Sequence, residues 1–246
     1  MRKKLIALLA AAVMTVSFAG CGDKKEDTTA TTTEATTEAT DTEATDTEAT
    51  GSEPVEGSTE VDIPELTAER GTIENGVFTN NAFKISFPIA DDYTVLTDEQ
   101  IAESMSLGAE MVAENGTISA EAYEEATNGS IYDLMFTFAD GQSNVSVTYI
   151  NMAAMGASGY TAEAYADALK TQLETMTSPV YTVEEPTNET YGGQEYVCIS
   201  AATNQGASQK ALLRTAGDYM IMITITYLDS TPELVTDFLN SFTVVE

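Results

Sequence analysis

The ten residues Tyr219–Leu228, YMIMITITYL, decide the fold of this chain. Apolar and β-branched side chains fill both alternating faces of the stretch over much of its length, and such residues favour strands. A strand with two apolar faces is typical of the interior of a sheet that is covered on both sides. The stretch therefore predicts a central strand with a layer packed against each face.

Other stretches rich in Ile, Val, Thr, Tyr and Phe also have the composition of strands. Short turn sequences, such as Asp140-Gly141 and Gly217-Asp218, separate several of them. Strands joined by tight turns run antiparallel, so we predict a mostly antiparallel sheet. Besides Tyr219–Leu228, the predicted strands are residues 83–87, 93–96, 131–138, 144–150, 180–184, 196–202 and 209–215.

Helices are predicted as the layers that cover this sheet. Tyr165, Leu169 and Leu173 recur at helical spacing and would form one apolar stripe. The predicted fold class is therefore α+β, a mostly antiparallel sheet flanked by helices. The predicted helices are residues 98–113, 120–126, 161–176 and 232–240.

Two of these helices have recognisable start signals. Thr97 and Gln100 have the spacing of a capping box at the start of the first helix. Ser230 or Thr231 is the predicted cap of the last helix, and Pro232 stands in its first turn, where proline is tolerated.

The N-terminus has the pattern of a secretory signal peptide. A basic head at residues 2–4 precedes an uncharged apolar run at 5–18, which is shorter than the roughly 20 residues of a membrane span. The run ends in FAGC at residues 18–21, which resembles the lipobox of bacterial lipoproteins. This resemblance implies a signal peptide over residues 1–20 and a diacylglyceryl group on Cys21. Such an anchor would hold the chain at the extracytoplasmic face of the bacterial cell membrane. An ordinary signal peptide followed by an incidental cysteine is the alternative.

A linker is predicted between the anchor and the folded part. Residues 26–60 are almost wholly Thr, Ala, Glu, Asp, Gly and Ser. Low hydrophobicity and charge of one sign prevent such a segment from forming a core. We therefore predict an acidic disordered linker over residues 21–70, which includes the lipidated Cys21. Residues 71–246 are predicted to form a single domain, which is long enough to bury a sizeable core.

The order of several short motifs resembles that of PsbP-like domains. The motifs are NAFKISFP at residues 81–88 followed by Tyr93, NVSV at 144–147, GGQEY at 192–196, GDY at 217–219 and the final Ser241-Phe242. This resemblance covers about residues 78–246 and implies an α/β/α sandwich. Members serve as photosystem extrinsic subunits, partners of a small GTPase and bacterial lipoproteins, of which only the last fits the N-terminus. No binding residue is carried over, because a fold does not fix a function.

Charge and composition exclude whole classes of function. The chain has 40 acidic and 10 basic residues, a formal charge of −30, and no histidine. Nucleic-acid affinity comes mainly from Lys and Arg, so nucleic acid is not an expected partner. Without His, Ser–His–Asp and Cys–His catalysis are excluded, and no side chain has an ordinary pKa near neutrality. We therefore expect stability to vary little between about pH 6 and 8.

Clustered acids give the best candidate for a cation site. Asp91, Asp92, Asp98 and Glu99 flank a predicted strand and the start of a helix. Calcium binds several carboxylate and carbonyl oxygens, but the sequence has no Asp-x-Asp-x-Asp-Gly loop. We interpret these acids as solvated surface and predict no metal.

Cys198 and the loop at residues 151–160 are two further candidate functional features. Cys198 lies in a predicted strand, and we interpret it as a small core residue. The uncharged loop at residues 151–160 carries Met152, Met155 and Tyr160. This loop is either the lip of a binding surface or, as we prefer, a segment folded back over the sheet edge.

These features predict a membrane-anchored lipoprotein that binds a protein or another envelope component and has no catalytic activity. Its partners are the membrane, through the lipid on Cys21, and this unidentified ligand. No catalytic residue and no cofactor are predicted. A His-independent extracellular hydrolase and an accessory solute-binding protein are the alternative functions.

Overall fold

The computed structural model describes residues 69–104 and 130–246. The predicted signal peptide, Cys21 and nearly all of the predicted linker lie outside these ranges, as do the end of the helix predicted at 98–113 and the whole helix predicted at 120–126. Helix α1 begins at residue 98 and is described to residue 104. The other elements are β1 (Thr72–Glu74), β2 (Val77–Asn80), β3 (Ile85–Pro88), β4 (Thr94–Val95), β5 (Ser130–Thr137), β6 (Asn144–Asn151), α2 (Ala162–Thr175), β7 (Tyr181–Val183), β8 (Thr187–Tyr191), β9 (Gln194–Thr203), β10 (Ala207–Ala216), β11 (Tyr219–Leu228) and α3 (Glu233–Asn240).

The large sheet is antiparallel throughout and has the strand order β4-β5-β6-β11-β10-β9-β7, with β8 also paired to β9. The predicted central strand, β11, lies between β6 and β10 in the middle of this order. Ile223 of β11 illustrates this central position, because it is fully buried and lies opposite Val147 on β6 and Leu212 on β10. The predicted position of this strand and the predicted fold class are confirmed.

One face of the large sheet is covered by helices, and we call it the helix face. Thr161 caps α2 by accepting a hydrogen bond from the Ala164 backbone N–H, and the helix buries Tyr165, Leu169 and Leu173. These residues pack against the sheet together with Ile101 of α1. The helix predicted at 161–176 is therefore confirmed. The capping box before α1 is also confirmed, because Thr97 and Gln100 exchange side-chain-to-backbone hydrogen bonds.

The opposite face, which we call the aromatic face, corrects the expectation that helices form both layers. Strands β1, β2 and β3 form a separate antiparallel sheet that covers this face together with α3. Phe78 of β2 and Phe87 of β3 lie opposite each other and are both buried, so two short strands supply a dense apolar surface. The sequence signal that we did not use is Asn75-Gly76, which adopts positive φ at both residues, as a tight hairpin turn requires.

The predicted cap of the last helix is wrong. Pro232 occupies the N-cap of α3 and no side chain caps the helix. The Thr231 hydroxyl instead donates to the Leu228 carbonyl, so it is used in the preceding turn. The helix still buries Val235, Phe238 and Leu239 against the aromatic face.

Candidate functional site

The described residues include the predicted acidic cluster but not the predicted lipid-attachment site. Cys21 lies outside the described residues, so lipid attachment stays a prediction. Asp91, Asp92, Asp98 and Glu99 are exposed, and Asp98 forms an ion pair with Arg70. Within residues 69–104 and 130–246, no group of three or more Cys, Asp or Glu side chains is arranged to hold a metal ion.

Cys198 is a buried residue of the aromatic face. Only 1% of its surface is exposed, and its thiol contacts the Tyr196 carbonyl. Burial, followed by the nearby Glu189 carboxylate, raises the pKa of the Cys198 thiol to about 12. A thiol that is both buried and protonated is a poor nucleophile, so the interpretation as a core residue is confirmed.

The loop at residues 151–160 packs inward. Met152 is buried in the core of the helix face, and Met155 and Tyr160 pack against the same core. Backbone hydrogen bonds hold the loop in this conformation, including one from the Ala157 N–H to the Met152 carbonyl and one from the Met152 N–H to the Asp218 carbonyl outside the loop. The preferred interpretation, a segment folded back on the sheet, is confirmed: Met152 lies in the core and Met155 packs against it.

The strongest candidate site is a pocket beside the edge strand β4, which we call the edge pocket. It is an open cavity of about 240 Å³, formed where β1 and β2 of the small sheet approach β4, α1 and β5. Its apolar walls are Ile73, Phe78, Val95, Leu96, Ile101 and Leu134, and Arg70, Gly71 and Asp133 supply its polar part.

Two wall residues of the edge pocket are exposed although they are large and apolar. Ile73 is 43% exposed and Val95 is 38% exposed, and they are two of the five exposed large apolar residues in the described part of the chain. A cavity with apolar walls and a few convergent polar groups is the default binding-site hypothesis for a protein of unknown function. The edge pocket therefore offers apolar surface to a ligand.

Asp133 forms the buried polar base of the edge pocket. Strand β5 changes register between Tyr132 and Leu134, so Asp133 lies in a bulge, which can redirect a side chain. Its side chain is 0% exposed. Its carboxylate accepts hydrogen bonds from the Gly71 N–H at 2.7 Å, the Asn80 amide at 3.1 Å and the Tyr149 hydroxyl at 2.5 Å.

These hydrogen bonds join the two sheets. Asn80 belongs to β2, Tyr149 to β6, and Gly71 precedes β1, so a single carboxylate fixes the small sheet on the large one. Burial, followed by the Asp133 charge, raises the pKa of Tyr149 well above its ordinary value. Tyr149 therefore remains a hydrogen-bond donor at neutral pH. Because three neighbours already satisfy the carboxylate, its observed role is to position β1 and the wall of the edge pocket.

Arg70 closes the polar side of the edge pocket. Its Nη1 donates to both carboxylate oxygens of Asp98, at 2.8 and 3.0 Å, and its Nη2 donates to the Asp133 carbonyl at 3.0 Å. Its Nε lies 3.8 Å from Asp133 Oδ1. The Arg70 side chain is 45% exposed, so its pair with Asp98 is a surface pair that contributes little to stability.

The edge pocket was not among the sites predicted from the sequence, although two sequence features point to it. Asp133 is the one charged residue in the apolar stretch 131–138, and a buried acid requires partners. Arg70 was assigned to the linker, but it is one of only five basic residues in the described part of the chain. Neither signal identifies its partners, because Gly71, Asn80 and Tyr149 are distant from Asp133 in sequence.

Comparison with known proteins gives similarity in fold alone. No protein-family profile and no curated protein sequence matches the chain. The solution structure of cyanobacterial PsbP (CyanoP) from Synechocystis sp. PCC 6803 is 12% identical, with a TM-score of 0.41, over 69% of this chain and 91% of that chain. The crystal structure of LpqN, involved in cell envelope biogenesis of Mycobacterium tuberculosis, is 10% identical, with a TM-score of 0.37, over 66% of this chain and 83% of that chain. Similarity at this level transfers no residue role to the chain.

Among the described residues, no helix combines the length and the hydropathy needed to cross a bilayer.

Proposed function

We propose that this chain is a lipid-anchored, extracytoplasmic binding module without catalytic activity, and that the edge pocket receives a protein or another component of the cell envelope. The observation that carries the proposal is the edge pocket itself, because Ile73 and Val95 leave apolar surface exposed beside a polar group. Exposed apolar patches with a polar rim mark interaction sites.

The N-terminal sequence supports the anchoring part of the proposal. The basic head, the short apolar run and the FAGC sequence that ends at Cys21 have the order required for lipoprotein processing. Two acyl chains on Cys21 would give stable membrane attachment, because a single chain binds only marginally.

The chemistry of the described side chains supports a role without catalysis. The chain has no histidine. The Asp133 carboxylate and the Tyr149 hydroxyl bond to each other and are both buried, so neither of them is a free acid or base for a substrate in the edge pocket. The Cys198 thiol is buried and protonated. No observation favours the hydrolase or solute-binding alternatives.

Site-specific photocrosslinking in the native host tests the binding role. A photoreactive residue replaces Val95 in the full-length protein, and the matched control carries it at Val180, which is 48% exposed outside the pocket. We expect a discrete crosslinked product from position 95 alone. Equal crosslinking from both positions, or none from position 95, would contradict the proposed pocket.

Membrane fractionation and mass spectrometry test the anchor separately. The protein should fractionate with membranes, and its N-terminal peptide should begin at Cys21 and carry the mass of a diacylglyceryl group. Cys21→Ser should release the protein from the membrane. An unmodified Cys21 in protein from the native host would refute the anchoring part alone.

A further inference from the structure

The edge pocket has the size and walls to receive an aliphatic side chain. Its volume of about 240 Å³ exceeds that of any single aliphatic side chain, and it is open rather than enclosed. Ile73, Val95 and Leu96 present branched aliphatic groups, and Val95 lies on the edge strand β4. Edge strands accept extended peptides, whose alternate side chains enter adjacent pockets.

The residues next to the pocket lining in the sequence are strongly acidic. Glu69 directly precedes the lining residue Arg70, and Glu74 directly follows Ile73 on β1. Asp98 and Glu99 begin α1, between the lining residues Leu96 and Ile101 in the sequence. We call these four exposed carboxylates the acidic rim. Among the described basic side chains, only Arg70 pairs with a member of the rim, namely Asp98. The rim therefore carries more negative charge than nearby cations neutralise.

The rest of the described domain does not offset this charge. Residues 69–104 and 130–246 contain 21 acidic and 5 basic side chains. All five bases are engaged: Arg70 with Asp98, Lys170 with Glu185, Lys210 with Glu189, Arg214 with the Phe83 carbonyl and Lys84 with the Glu246 carbonyl. A second copy of this domain would bring like charges together, so a copy is a poor occupant.

An anionic ligand would also fit poorly. Arg70 is the one cation among the described residues that line the edge pocket, and its donors already face Asp98 and Asp133. A carboxylate on the ligand would have to displace Asp98 and would approach the buried Asp133. A cationic group could approach Glu69, Glu74 and Glu99, which pair with none of the described basic side chains, and would break no existing ion pair.

We infer that the edge pocket binds a short extended peptide segment of a partner protein, in which an aliphatic side chain enters the pocket and flanking lysine or arginine side chains pair with the acidic rim. This inference rests on the proposed binding function and adds the chemistry of the partner. Charge complementarity selects the basic segment, and the exposed apolar walls select the aliphatic residue.

Methyl NMR of the full-length protein in non-ionic detergent tests the inference directly. The probe is the peptide acetyl-Gly-Lys-Leu-Lys-Gly-amide, and the matched peptides replace both lysines by glutamate or the leucine by serine. We expect the lysine–leucine peptide to shift the methyl signals of Ile73, Val95 and Ile101 in a saturable manner at low ionic strength, with no shift at Val180. The serine peptide should bind at least fivefold more weakly, because it buries no aliphatic side chain.

Paired variants test the role of the rim. Exposed ion pairs are weak, so each rim carboxylate should contribute about two- to fivefold in affinity. Glu74→Gln combined with Glu99→Gln should therefore raise the dissociation constant of the lysine–leucine peptide about fivefold or more. The matched control, Glu163→Gln with Glu195→Gln, removes two exposed charges elsewhere and should change it less than twofold.

The outcomes separate this inference from the proposed function. If the glutamate peptide shifts the pocket methyls as strongly as the lysine peptide, the charge assignment is wrong while a binding pocket remains. If the rim variant binds as well as its control, the rim does not select the partner. If none of the three peptides shifts these methyls at millimolar concentration, peptide binding at the edge pocket is refuted.

Discussion

The two faces of the large sheet are built from different side chains. All seven phenylalanines of the described ranges belong to the core of the aromatic face or pack against it, whereas all six described methionines belong to the core of the helix face or pack against it. The helix face also buries hydroxyls in its sheet: Ser146, Thr148 and Thr224 are 1–3% exposed and have no hydrogen-bond partner within the described part.

This difference separates a tightly specified interface from an adaptable one. Aromatic rings have few rotamers and prefer specific mutual geometries, and Phe87 contacts the rings of Phe78, Phe238 and Phe242 at centroid distances of 5.0–5.1 Å. Methionine fills irregular gaps and tolerates substitution. We therefore expect the aromatic face to fix the small sheet, and with it one wall of the edge pocket, while the helix face accepts change more readily.

The largest expected effect is the loss of a ring from the aromatic face. Phe87→Ala should lower the free energy of unfolding by about 3–5 kcal/mol, because it leaves a cavity where four other rings converge. Urea unfolding of the full-length chain carrying Cys21→Ser measures this loss. Phe87→Leu and Met222→Leu form the matched pair that compares the two faces, and Met222→Leu should cost less than about 1.5 kcal/mol and less than Phe87→Leu. Equal losses for Phe87→Leu and Met222→Leu would abolish the contrast between the faces.

The second prediction concerns the link between the sheets. Asp133→Ala should lower the free energy of unfolding by about 2–4 kcal/mol, because the Gly71 N–H, the Asn80 amide and the Tyr149 hydroxyl all lose their acceptor. Tyr149→Phe removes one donor and should cost about half as much. Hydrogen exchange should show faster exchange in β1 for Asp133→Ala. Unchanged protection of β1 would mean that the ring contacts alone hold the small sheet.

The third prediction is a core substitution that should not lower the free energy of unfolding. Thr224→Val on the helix face replaces a hydroxyl without a described partner by a methyl group, so it should be neutral or should stabilise the protein by about 1 kcal/mol. The control is Thr226→Val, two residues further on the same face of β11. Thr226 accepts a hydrogen bond from the Gln209 amide at 3.2 Å, so its loss should destabilise by about 1 kcal/mol. Equal destabilisation by both variants would refute the difference between the two threonines.

The smallest expected effect is the pH dependence near neutrality. With no histidine, the free energy of unfolding should change by less than about 0.5 kcal/mol between pH 6 and 8. Urea titrations across this window measure it, and a sharp transition inside the window would contradict the prediction.

Both faces should lose stability outside that window. Burial raises the pKa of Tyr181 on the helix face and of Cys198 on the aromatic face to about 12 each. Their ordinary values are lower, so above about pH 9 the unfolded chain ionises first and stability falls. At low pH, burial opposes ionisation of Glu189, but hydrogen bonds from Lys210 and Tyr191 outweigh it and lower its pKa. The stability that ionised Glu189 contributes is therefore lost as the pH falls below the ordinary pKa of a glutamate.

Local patterns in the sequence predicted the elements whose signals are local. The two apolar faces of Tyr219–Leu228, the apolar stripe of α2 and the capping box at Thr97 are all present in the structure. Strands β1, β2 and β8 were missed because they are only three to five residues long, and β1 and β8 have no buried residue. Strands this short carry too little periodicity to be recognised by pattern alone.

The lining of the edge pocket could not be predicted from local sequence patterns. Asp133 is recognisable as an unexpected acid in a strand, but its partners lie 16 to 62 residues away in the sequence. Sequence periodicity gives the face on which a side chain lies, and a bulge interrupts that periodicity at this residue. The lining of the pocket could therefore be read only from the structure.

The sequence by itself determined the net charge, the absence of histidine chemistry, the central strand and the two-sided core, because each follows from composition or from short-range periodicity. Tertiary structure alone decided that a small sheet covers one face, that Asp133 joins the two sheets, and that an apolar pocket opens beside β4. These features depend on contacts between distant residues, whose pairing is set by packing and by the need of buried polar groups for partners.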